Sequence, residues 1–463
     1  MTIQREPGSF RDPCGFVYTR DGDIYRQVQP SYAANYDLLQ QSGLAAALMT
    51  DGLLVRSTEA DISLAAYPGA YRVLSVDRVP FISYPYEWCF SQLKDAALLT
   101  LEIQKRAIEK GMSLRDSSAY NVQFVGAKPV FIDTLSFEAY AEGKPWVAYR
   151  QFCQHFLAPL ALMAHVDIRL SQMLRIWIDG IPLDLAASLL PRKLMLNPGL
   201  LTHIFVHGAA GSKYADDSGA KAKRATETRV SKLAMLGLVD SLETTVRKLS
   251  WAPGGTEWGN YYANTNYTDT ALKSKQQLVQ QMLGTIQPAP KLVWDLGANT
   301  GLFSRIASTQ RINTVAWDID PAAVEKNYLQ CKSTGEGALL PLTADLTNPA
   351  PAIGWNHQER KSMLQRGPAN VVFALALVHH LAISNNVPLT GVADYLASAG
   401  NWLIIEFVPK SDSQVQRLLA SREDIFPCYT QDGFEEAFAT RFEIKHSAPV
   451  PGTERTLYLM CRR

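Results

Sequence analysis

Two glycines and two acidic side chains in the C-terminal half have the types and the spacing to bind a nucleoside. Gly297 and Gly301 follow an apolar run in VWDLGANTGLFSRIA, and glycine lets the backbone pass close to a ligand. Asp318 ends the next apolar run, where a carboxylate can accept hydrogen bonds from both hydroxyls of a ribose. Asp345, in TADLT, comes after a third run, where it can accept a hydrogen bond from an adenine amino group.

Alternating strands and helices must position these side chains. From Leu292 the sequence has short apolar runs separated by stretches with helical spacing: LVWDLG, TVAWDID, NVVFALAL and WLIIEFV. This alternation predicts a parallel sheet with helices on both faces. The last two runs, FEIKHSAPV and RTLYLMCRR, are separated by a short Pro-Gly turn and should pair antiparallel at one edge.

Residues 255–463 resemble the class I S-adenosylmethionine-dependent methyltransferases. The resemblance rests on the D-L-G-x-N-x-G turn, the strand-end acid Asp318, the acid Asp345 in ADL and the closing antiparallel strand. The G-x-G-x-x-G motif of dinucleotide dehydrogenases does not fit this turn. If Gly297 is its first glycine, the second and third glycines are replaced by Asn299 and Leu302. That difference favours a methyl donor over NAD.

The resemblance implies S-adenosyl-L-methionine as the cofactor. Asp295 and Gly297 would face its methionine end, Asp318 its ribose and Asp345 its adenine. In the resembled family, an aromatic segment such as EWGNYYANTNYTDTALKSK often closes over the cofactor, which would place Tyr267 in a lid; simple packing is the alternative. The cofactor-binding residues that we expect are Asp295, Gly297, Asn299, Gly301, Asp318, Asp345 and Tyr267.

The candidate catalytic residues follow two later strands. His379 and His380, in LALVHHLAIS, would lie near the transferred methyl group. The ordinary pKa of histidine is near neutrality, so either could accept the proton that a hydroxyl or amine loses on methylation. Capping the next helix or packing in the core is the alternative for each. Glu406, in LIIEFVPKSD, could orient a polar group of the substrate or pair with Lys410 as a structural acid.

A second group of polar residues lies near the N-terminus, in SLRDSSAYNVQFVGAKPVFIDTLSF. The stretch fits the R-D-x-x-x-x-N frame of the kinase catalytic loop. Residues 10–160 resemble a kinase-like pair of lobes in their order of hairpin, helix, helix and loop. The resemblance implies that Asp116 is a base and that Asn121 and Asp133 hold magnesium with ATP.

Several parts of a kinase are missing from this region. No G-x-G-x-x-G loop is present, Leu114 replaces the usual histidine, and DTLS replaces D-F-G. The hairpin FVYTRDGDIYRQV contains no lysine, and Arg26 is the basic candidate to pair the phosphates. Three readings stay open: a degenerate domain that binds substrate or serves as a scaffold, an active phosphotransferase, and a chance resemblance.

The composition is that of a folded protein without a general attraction for nucleic acid. Of 463 residues, 47% are hydrophobic and 19% are charged. The formal net charge of +1 does not favour a phosphate backbone. The cysteines are scattered without a C-x-x-C pair, as in reduced cytosolic proteins. No apolar stretch reaches the ~18–20 residues that span a bilayer, and the N-terminus lacks a secretion signal, so we expect a cytoplasmic protein.

These observations predict an α/β protein with three parts. Residues 1–205 form a kinase-like α+β domain with a helical lobe, and residues 206–254 form a linker and a helix. Residues 255–463 form a Rossmann-like domain whose seven-stranded sheet has an antiparallel last strand. The predicted function is S-adenosylmethionine-dependent methylation of a small-molecule or saccharide-like acceptor. The alternatives are a bifunctional kinase-methyltransferase and a protein methyltransferase whose N-terminal domain recruits the substrate.

Overall fold

The computed structural model describes residues 3–208, 229–256, 259, 268–420 and 422–463. The chain divides into two compact units. Unit 1 comprises Met1–Ala252 and Ile353–Arg360, and unit 2 comprises Pro253–Ala352 and Lys361–Arg463. The three-part division expected from the sequence stays a prediction.

Unit 1 begins with a five-stranded antiparallel sheet in the order β1-β2-β3-β5-β4. Its strands are β1 (Ile3–Arg5), β2 (Gly15–Arg20), β3 (Asp23–Val28), β4 (Ser57–Ala60) and β5 (Arg72–Val76). The predicted hairpin is confirmed, because Asp21 and Gly22 join β2 to β3 with φ values of 51° and 96°. Positive φ at both turn residues matches the twist of the two strands.

A long helix of unit 1 spans Phe90–Glu109. It ends before Gly111, whose φ of +76° stops it. Two short antiparallel ladders follow, in which β6 pairs with β9 and β7 with β8. These strands are β6 (Met112–Leu114), β7 (Val122–Val125), β8 (Lys128–Phe131) and β9 (Phe137–Ala139).

Unit 1 is also rich in short helices. In the described part of unit 1 the α-helices are α1 (Ala33–Gln41), α2 (Leu44–Thr50), α3 (Phe90–Glu109), α4 (Tyr149–Phe152), α5 (Ala158–His165), α6 (Met173–Ile176), α7 (Leu183–Leu189), α8 (Pro198–Leu200) and α9 (Lys232–Lys248). Short 3-10 helices span Pro30–Tyr32, Ile62–Leu64, Pro85–Glu87, Ala119–Asn121, Ile168–Gln172, Arg192–Leu196 and Trp355–His357, and π-helical turns span Cys153–Leu157 and Leu201–Phe205. A kinase-like fold for this unit stays a prediction.

Unit 2 is built on a seven-stranded sheet in the order β12-β11-β10-β13-β14-β16-β15. Its strands are β10 (Leu292–Leu296), β11 (Asn313–Asp318), β12 (Leu339–Thr343), β13 (Ala369–Ala374), β14 (Gly400–Phe407), β15 (Phe442–Pro449) and β16 (Thr456–Arg462). The first five are parallel, and β16 pairs antiparallel with β14 and β15. The predicted seven-stranded, mostly parallel α/β sheet with an antiparallel last strand is confirmed.

Helices pack against this sheet and bury its central strands. In the described part of unit 2 the helices are α10 (Asp269–Thr285), α11 (Ser304–Ser308), α12 (Pro321–Thr334), α13 (Leu389–Ala399), α14 (Ser413–Leu419) and α15 (Gln431–Ala439), with a 3-10 turn at Leu364–Arg366 and a π-helical turn at His380–Ser384. Val293, Val371 and Ile404, on three neighbouring strands, form one core cluster with Val279 and Leu283 of α10. This burial holds the carboxyl ends of β10, β13 and β14 side by side.

Within the described residues, no helix combines the length and the apolar character needed to cross a bilayer. The six cysteines are free thiols. Four of them, Cys14, Cys89, Cys153 and Cys331, are buried, as expected for thiols that fill a core.

Candidate functional site

The turn after β10 requires glycine at two positions. Gly297 and Gly301 both have left-handed backbone, with φ values of +77° and +78°. A Cβ atom at Gly301 would lie 2.5 Å from Nδ2 of Asn327, and one at Gly297 would lie 3.3 Å from Cδ1 of Leu377. The left-handed backbone strains a larger residue at both positions, and a Cβ atom would also crowd the side chain of Asn327 or Leu377.

Asp318, at the end of β11, connects the glycine turn to the loop after β11. Its buried carboxylate accepts hydrogen bonds from the backbone N–H groups of Asn299, at 2.7 Å, and Asp320, at 2.8 Å. Burial raises the pKa of Asp318 to about 6, although these N–H groups favour the ionised form. The carboxylate thus fixes both loops around one point.

A pocket of about 290 Å³ lies at the carboxyl ends of β10, β11 and β13. Apolar side chains, among them Leu272, Phe303, Ile319 and Leu375, form part of its wall. It brings together five of the residues predicted from the sequence, namely Asp295, Gly297, Asn299, Asp318 and His380. They converge because parallel strands end at the same edge of a sheet.

Asp295 is a second buried acid of this pocket. Its Oδ2 atom accepts a hydrogen bond from Ser304 Oγ at 2.6 Å. Burial raises the pKa of Asp295 to about 7, and the nearby Asp318 carboxylate adds to the rise while the Ser304 bond opposes it. A ligand that brings positive charge or hydrogen-bond donors would favour the ionised form of both acids.

His380 lines the pocket, whereas its neighbour His379 is buried and does not line it. The two ring centroids lie 4.1 Å apart. Burial lowers the pKa of His380 to about 4, and the positive charge of Arg455 contributes. Burial also lowers the pKa of His379 well below its ordinary value. Both imidazoles are therefore neutral at pH 7, and a neutral imidazole can accept a proton.

A buried lysine that the sequence analysis did not single out also lines the pocket. The side chain of Lys275 is 2% exposed, and its Nζ atom lies 2.7 Å from Oε2 of the fully buried Glu406. Arg455 Nη1 lies 3.8 Å from the same oxygen, and Arg455 Nε pairs with Asp412 at 2.7 Å. Two cations and two carboxylates thus form one buried network beside the pocket.

The sequence does contain a signal for Lys275. The buried positions Ala271, Val279 and Met282 of α10 repeat at helical spacing, and Lys275 lies on the same stripe. A lysine at a core-facing position is rarely fully buried unless it is paired. Its partner Glu406 is 131 residues away, so the pair itself cannot be read from spacing.

The suggested pairing of Glu406 with Lys410 is wrong. Lys410 binds Asp424 instead, with Nζ 2.7 Å from Oδ2. Glu406 lies within β14 and is fully buried, whereas Lys410 follows the strand in a more exposed segment. Burial places Glu406 within reach of Lys275 and Arg455, which are also buried.

Some predicted site residues do not line the pocket. Gly301 supports the turn, and Glu406 reaches the pocket only through the lysine that it binds. Asp345 lies in a turn after β12, where its carboxylate accepts a hydrogen bond from Thr347 N at 2.8 Å. The contact between Asp345 and adenine stays a prediction. Tyr267 lies outside the described residues, so its place in a lid stays a prediction too.

In unit 1 the structure brings Asp116, Asn121 and Asp133 together. Asn121 Nδ2 donates to Ser136 Oγ at 3.2 Å, and Ser136 Oγ donates in turn to Asp133. Burial raises the pKa of Asp116, and the Asp133 carboxylate adds to the rise. Arg26, on β3, forms an ion pair with Asp133. An arginine therefore neutralises the carboxylate that the kinase resemblance assigns to magnesium.

Asp116 is held by hydrogen bonds from neighbouring residues. Its Oδ1 atom accepts from Ser118 N at 2.9 Å and from Gln151 Nε2 at 2.8 Å. In the part of the chain that the structure describes, no group of three or more His, Cys, Asp or Glu side chains is placed to hold a metal ion. The magnesium ligands stay a prediction.

No protein-family model matches the chain. The chain is 35% identical over 458 residues to "Nodulation protein NoeA" of Rhizobium meliloti (strain 1021), a match that covers 98% of this chain and 95% of that protein. The chain belongs to the NoeA family. The match covers nearly the whole length, so membership of the NoeA family concerns both units.

Solved structures resemble part of the chain at low identity. Magnesium protoporphyrin IX methyltransferase (ChlM) from Synechocystis PCC 6803 with bound SAH is 16% identical, with a TM-score of 0.32, over 44% of this chain and 93% of that chain. The bifunctional kinase-methyltransferase WbdD is 14% identical, with a TM-score of 0.30, over 44% of this chain and 42% of that chain. Neither likeness is close enough to assign an activity.

The buried acids predict a pH-dependent stability. The pKa of Asp295 in the folded protein, about 7, exceeds the ordinary value of ~3.9 for aspartate. The folded state therefore binds more protons than the unfolded state between these values, so the free energy of unfolding falls as pH rises from ~4 to ~7. Asp295→Asn removes the buried charge, and we expect it to unfold with a free energy on the order of 2–4 kcal/mol higher than the parent at pH 8.

Urea denaturation at pH 4.5 and pH 8 measures this difference, which should nearly vanish at the lower pH. Asp432→Asn, at an exposed position of α15, is the control and should leave the pH dependence unchanged. An Asp295→Asn variant that is no more stable than the parent at pH 8 would contradict the buried-charge account.

Proposed function

We propose that unit 2 binds S-adenosyl-L-methionine and transfers its methyl group to a small-molecule or saccharide-like acceptor. The observation that carries the proposal is the meeting of Asp295, Gly297, Asp318 and His380 in one pocket at the strand ends. The order of the seven strands is consistent with the Rossmann-like fold of methyltransferases. Ligands of such open sheets bind at this edge.

The residues of the pocket fit this cofactor. Gly297 lines the pocket with left-handed backbone, and the lack of a side chain there allows a ligand to approach the turn closely. The Asp318 carboxylate accepts two backbone N–H groups, and each of its oxygens has a second lone pair for a ribose hydroxyl. The volume of about 290 Å³ is close to the lower end of the usual range for ligand pockets, ~300–1,000 Å³.

The charges of the pocket favour a cationic donor. Asp295 and Asp318 are both buried, and burial raises the pKa of each to about 7 and about 6. A positive charge nearby would stabilise both ionised carboxylates. S-adenosylmethionine carries positive charge on its sulfonium and its ammonium groups, whereas a dinucleotide brings a negatively charged pyrophosphate.

The chemistry required of the protein is positioning and removal of one proton. The bound donor supplies an electrophilic methyl group on a sulfonium. The pocket would align an acceptor hydroxyl or amine with that carbon, which lowers the entropic cost of an in-line displacement. His380 lines the pocket and is neutral at pH 7, so it can accept the proton that the acceptor loses, although the lowering of its pKa by burial makes it a weaker base than an ordinary histidine.

Neutral polar groups at the pocket support a neutral, hydroxyl-bearing acceptor. Ser384 and Asn385 line the pocket beside His380, at the end of the π-helical turn, and both are exposed. A hydroxyl, an amide and a neutral imidazole can all hydrogen-bond to acceptor hydroxyls. None of the three attracts a charged acceptor.

Binding of the reaction product tests the cofactor assignment. We expect S-adenosylhomocysteine to bind the full-length protein in calorimetry, more tightly at pH 8 than at pH 5 because Asp318 must be ionised. Asp318→Asn should raise Kd about 10–100-fold, the size expected for losing hydrogen bonds to a charged group. Asp432→Asn is the control. Absence of binding by the parent protein would refute the cofactor, and undiminished binding by Asp318→Asn would refute the ribose contact.

The role of the histidines is tested by single-turnover transfer from labelled S-adenosylmethionine to the acceptor fraction of a cell extract. We expect His380→Gln to slow transfer about 10²–10⁴-fold and to leave the Kd for S-adenosylhomocysteine within about threefold. His379→Gln is the matched variant outside the pocket and should have the smaller effect on transfer. Unchanged transfer in both variants would mean that neither histidine is the base.

For unit 1 we propose a binding or scaffolding role without phosphate transfer. The proposal is carried by the ion pair between Arg26 and Asp133. A divalent cation would have to displace the Arg26 guanidinium or share the Asp133 carboxylate with it. Two cations on the same carboxylate would repel each other strongly. Phosphoryl transfer also depends on several positioned groups acting together.

Incubation of the full-length protein with ATP and Mg²⁺ tests this role. The full chain is used because Ile353–Arg360 belongs to unit 1. We expect hydrolysis no faster than in Asp133→Ala. Steady turnover by the parent that disappears in both Asp116→Ala and Asp133→Ala would contradict the proposal and would make the protein a bifunctional kinase-methyltransferase.

A further inference from the structure

We infer that Lys275 binds the carboxylate at the amino-acid end of the donor, so that the pocket selects adenosyl amino acids over adenosyl thioethers that lack this carboxylate. The inference rests on the proposed function and adds to it a residue that determines specificity. It also gives Glu406 a positioning role, through the lysine that it holds.

The position of Lys275 supports this role. Among the described residues that line the pocket, Lys275 is the one lysine or arginine. Its Nζ atom lies 4.7 Å from the centre of the Phe303 ring, which lines the same pocket. Gly297 and Asp295 form another part of the lining. An amino-acid group between these walls would have a cation on one side and a carboxylate on the other.

The charge distribution sets the direction in which the amino-acid end binds. A carboxylate is repelled by Asp295 and attracted by Lys275, while an ammonium group has the opposite preferences. In a buried site these preferences are strong because little water screens them. The zwitterionic end of the donor therefore has one favourable orientation, with its carboxylate toward Lys275.

Burial lowers the pKa of Lys275, and Glu406 opposes this effect and holds the lysine in place. Burial alone favours a neutral lysine, and the carboxylate 2.7 Å away opposes that effect. Arg455 lies 3.8 Å from the same Glu406 oxygen and is itself bound by Asp412. The network thus fixes Glu406, and Glu406 fixes the Nζ atom at the pocket wall.

Ligands that differ only in the amino-acid end test the inference on the unaltered protein. Calorimetry would compare S-adenosylhomocysteine with its decarboxylated analogue, S-adenosyl-3-thiopropylamine, and with 5′-methylthioadenosine. We expect the loss of the carboxylate alone to weaken binding about 10–100-fold, the range for one hydrogen-bonded charge pair. Equal affinity for the first two ligands would overturn the inference.

Variants of α10 identify the residue responsible. Lys275→Met should bind S-adenosylhomocysteine no more tightly than the parent binds the decarboxylated analogue, and its affinity for that analogue should change by less than about threefold. The double variant Lys275→Met/Glu406→Gln, which leaves no unpaired carboxylate, should behave in the same way. Lys273→Met, on the exposed side of the same helix, is the matched control and should retain the parent's preference.

The outcomes separate this inference from the proposed function. If the parent binds none of the three ligands, the cofactor assignment and the inference both fail. If S-adenosylhomocysteine binds but Lys275→Met weakens all three ligands equally, the cofactor stands and the carboxylate contact is refuted. If neither Lys275 variant folds, the comparison of the ligands on the parent protein decides the question.

Discussion

The pocket depends on the hydrogen bonds that the Asp318 carboxylate accepts from Asn299 N and Asp320 N. These bonds fix the loop after β10 and the loop after β11 around a single buried group. The turn places Gly297 and Gly301 at positive φ, a conformation that glycine adopts most readily, and a Cβ atom at either position would crowd a neighbouring side chain. One carboxylate thus determines the backbone that a nucleoside would contact.

Two ion pairs, one in each unit, involve acids that the sequence assigns to function, and they have opposite consequences. In unit 2, Glu406 binds Lys275 and holds its amino group at the pocket wall. In unit 1, Arg26 binds Asp133 and neutralises the carboxylate that a metal would need. Removing one partner of a buried pair leaves an uncompensated charge. Substitution of a single partner is therefore unfavourable in both pairs. In the proposed functions, the first pair serves ligand recognition and the second pair opposes phosphate transfer.

The sequence predicts the sheet of unit 2 and the first hairpin of unit 1 well because strands and turns leave local signals. Apolar runs, the Asp-Gly hairpin and the glycine turn are each read within a few residues, and Asp318 follows from the end of its strand. Contacts between distant segments leave no such signal. The pairing of Glu406 with Lys275 spans 131 residues, and proximity in sequence suggested Lys410 instead. Likewise, two adjacent histidines cannot be distinguished by sequence, since only burial separates His380 from His379.

The central claim is that the donor lies at the strand ends with its ribose on Asp318. A crystal structure of the full-length protein with S-adenosylhomocysteine at pH 8 tests it most directly. The account predicts both ribose hydroxyls within hydrogen-bonding distance of the Asp318 carboxylate, with the thioether sulfur on the side of His380. An adenosyl group bound away from this pocket, or a ribose held by residues other than Asp318, would contradict it.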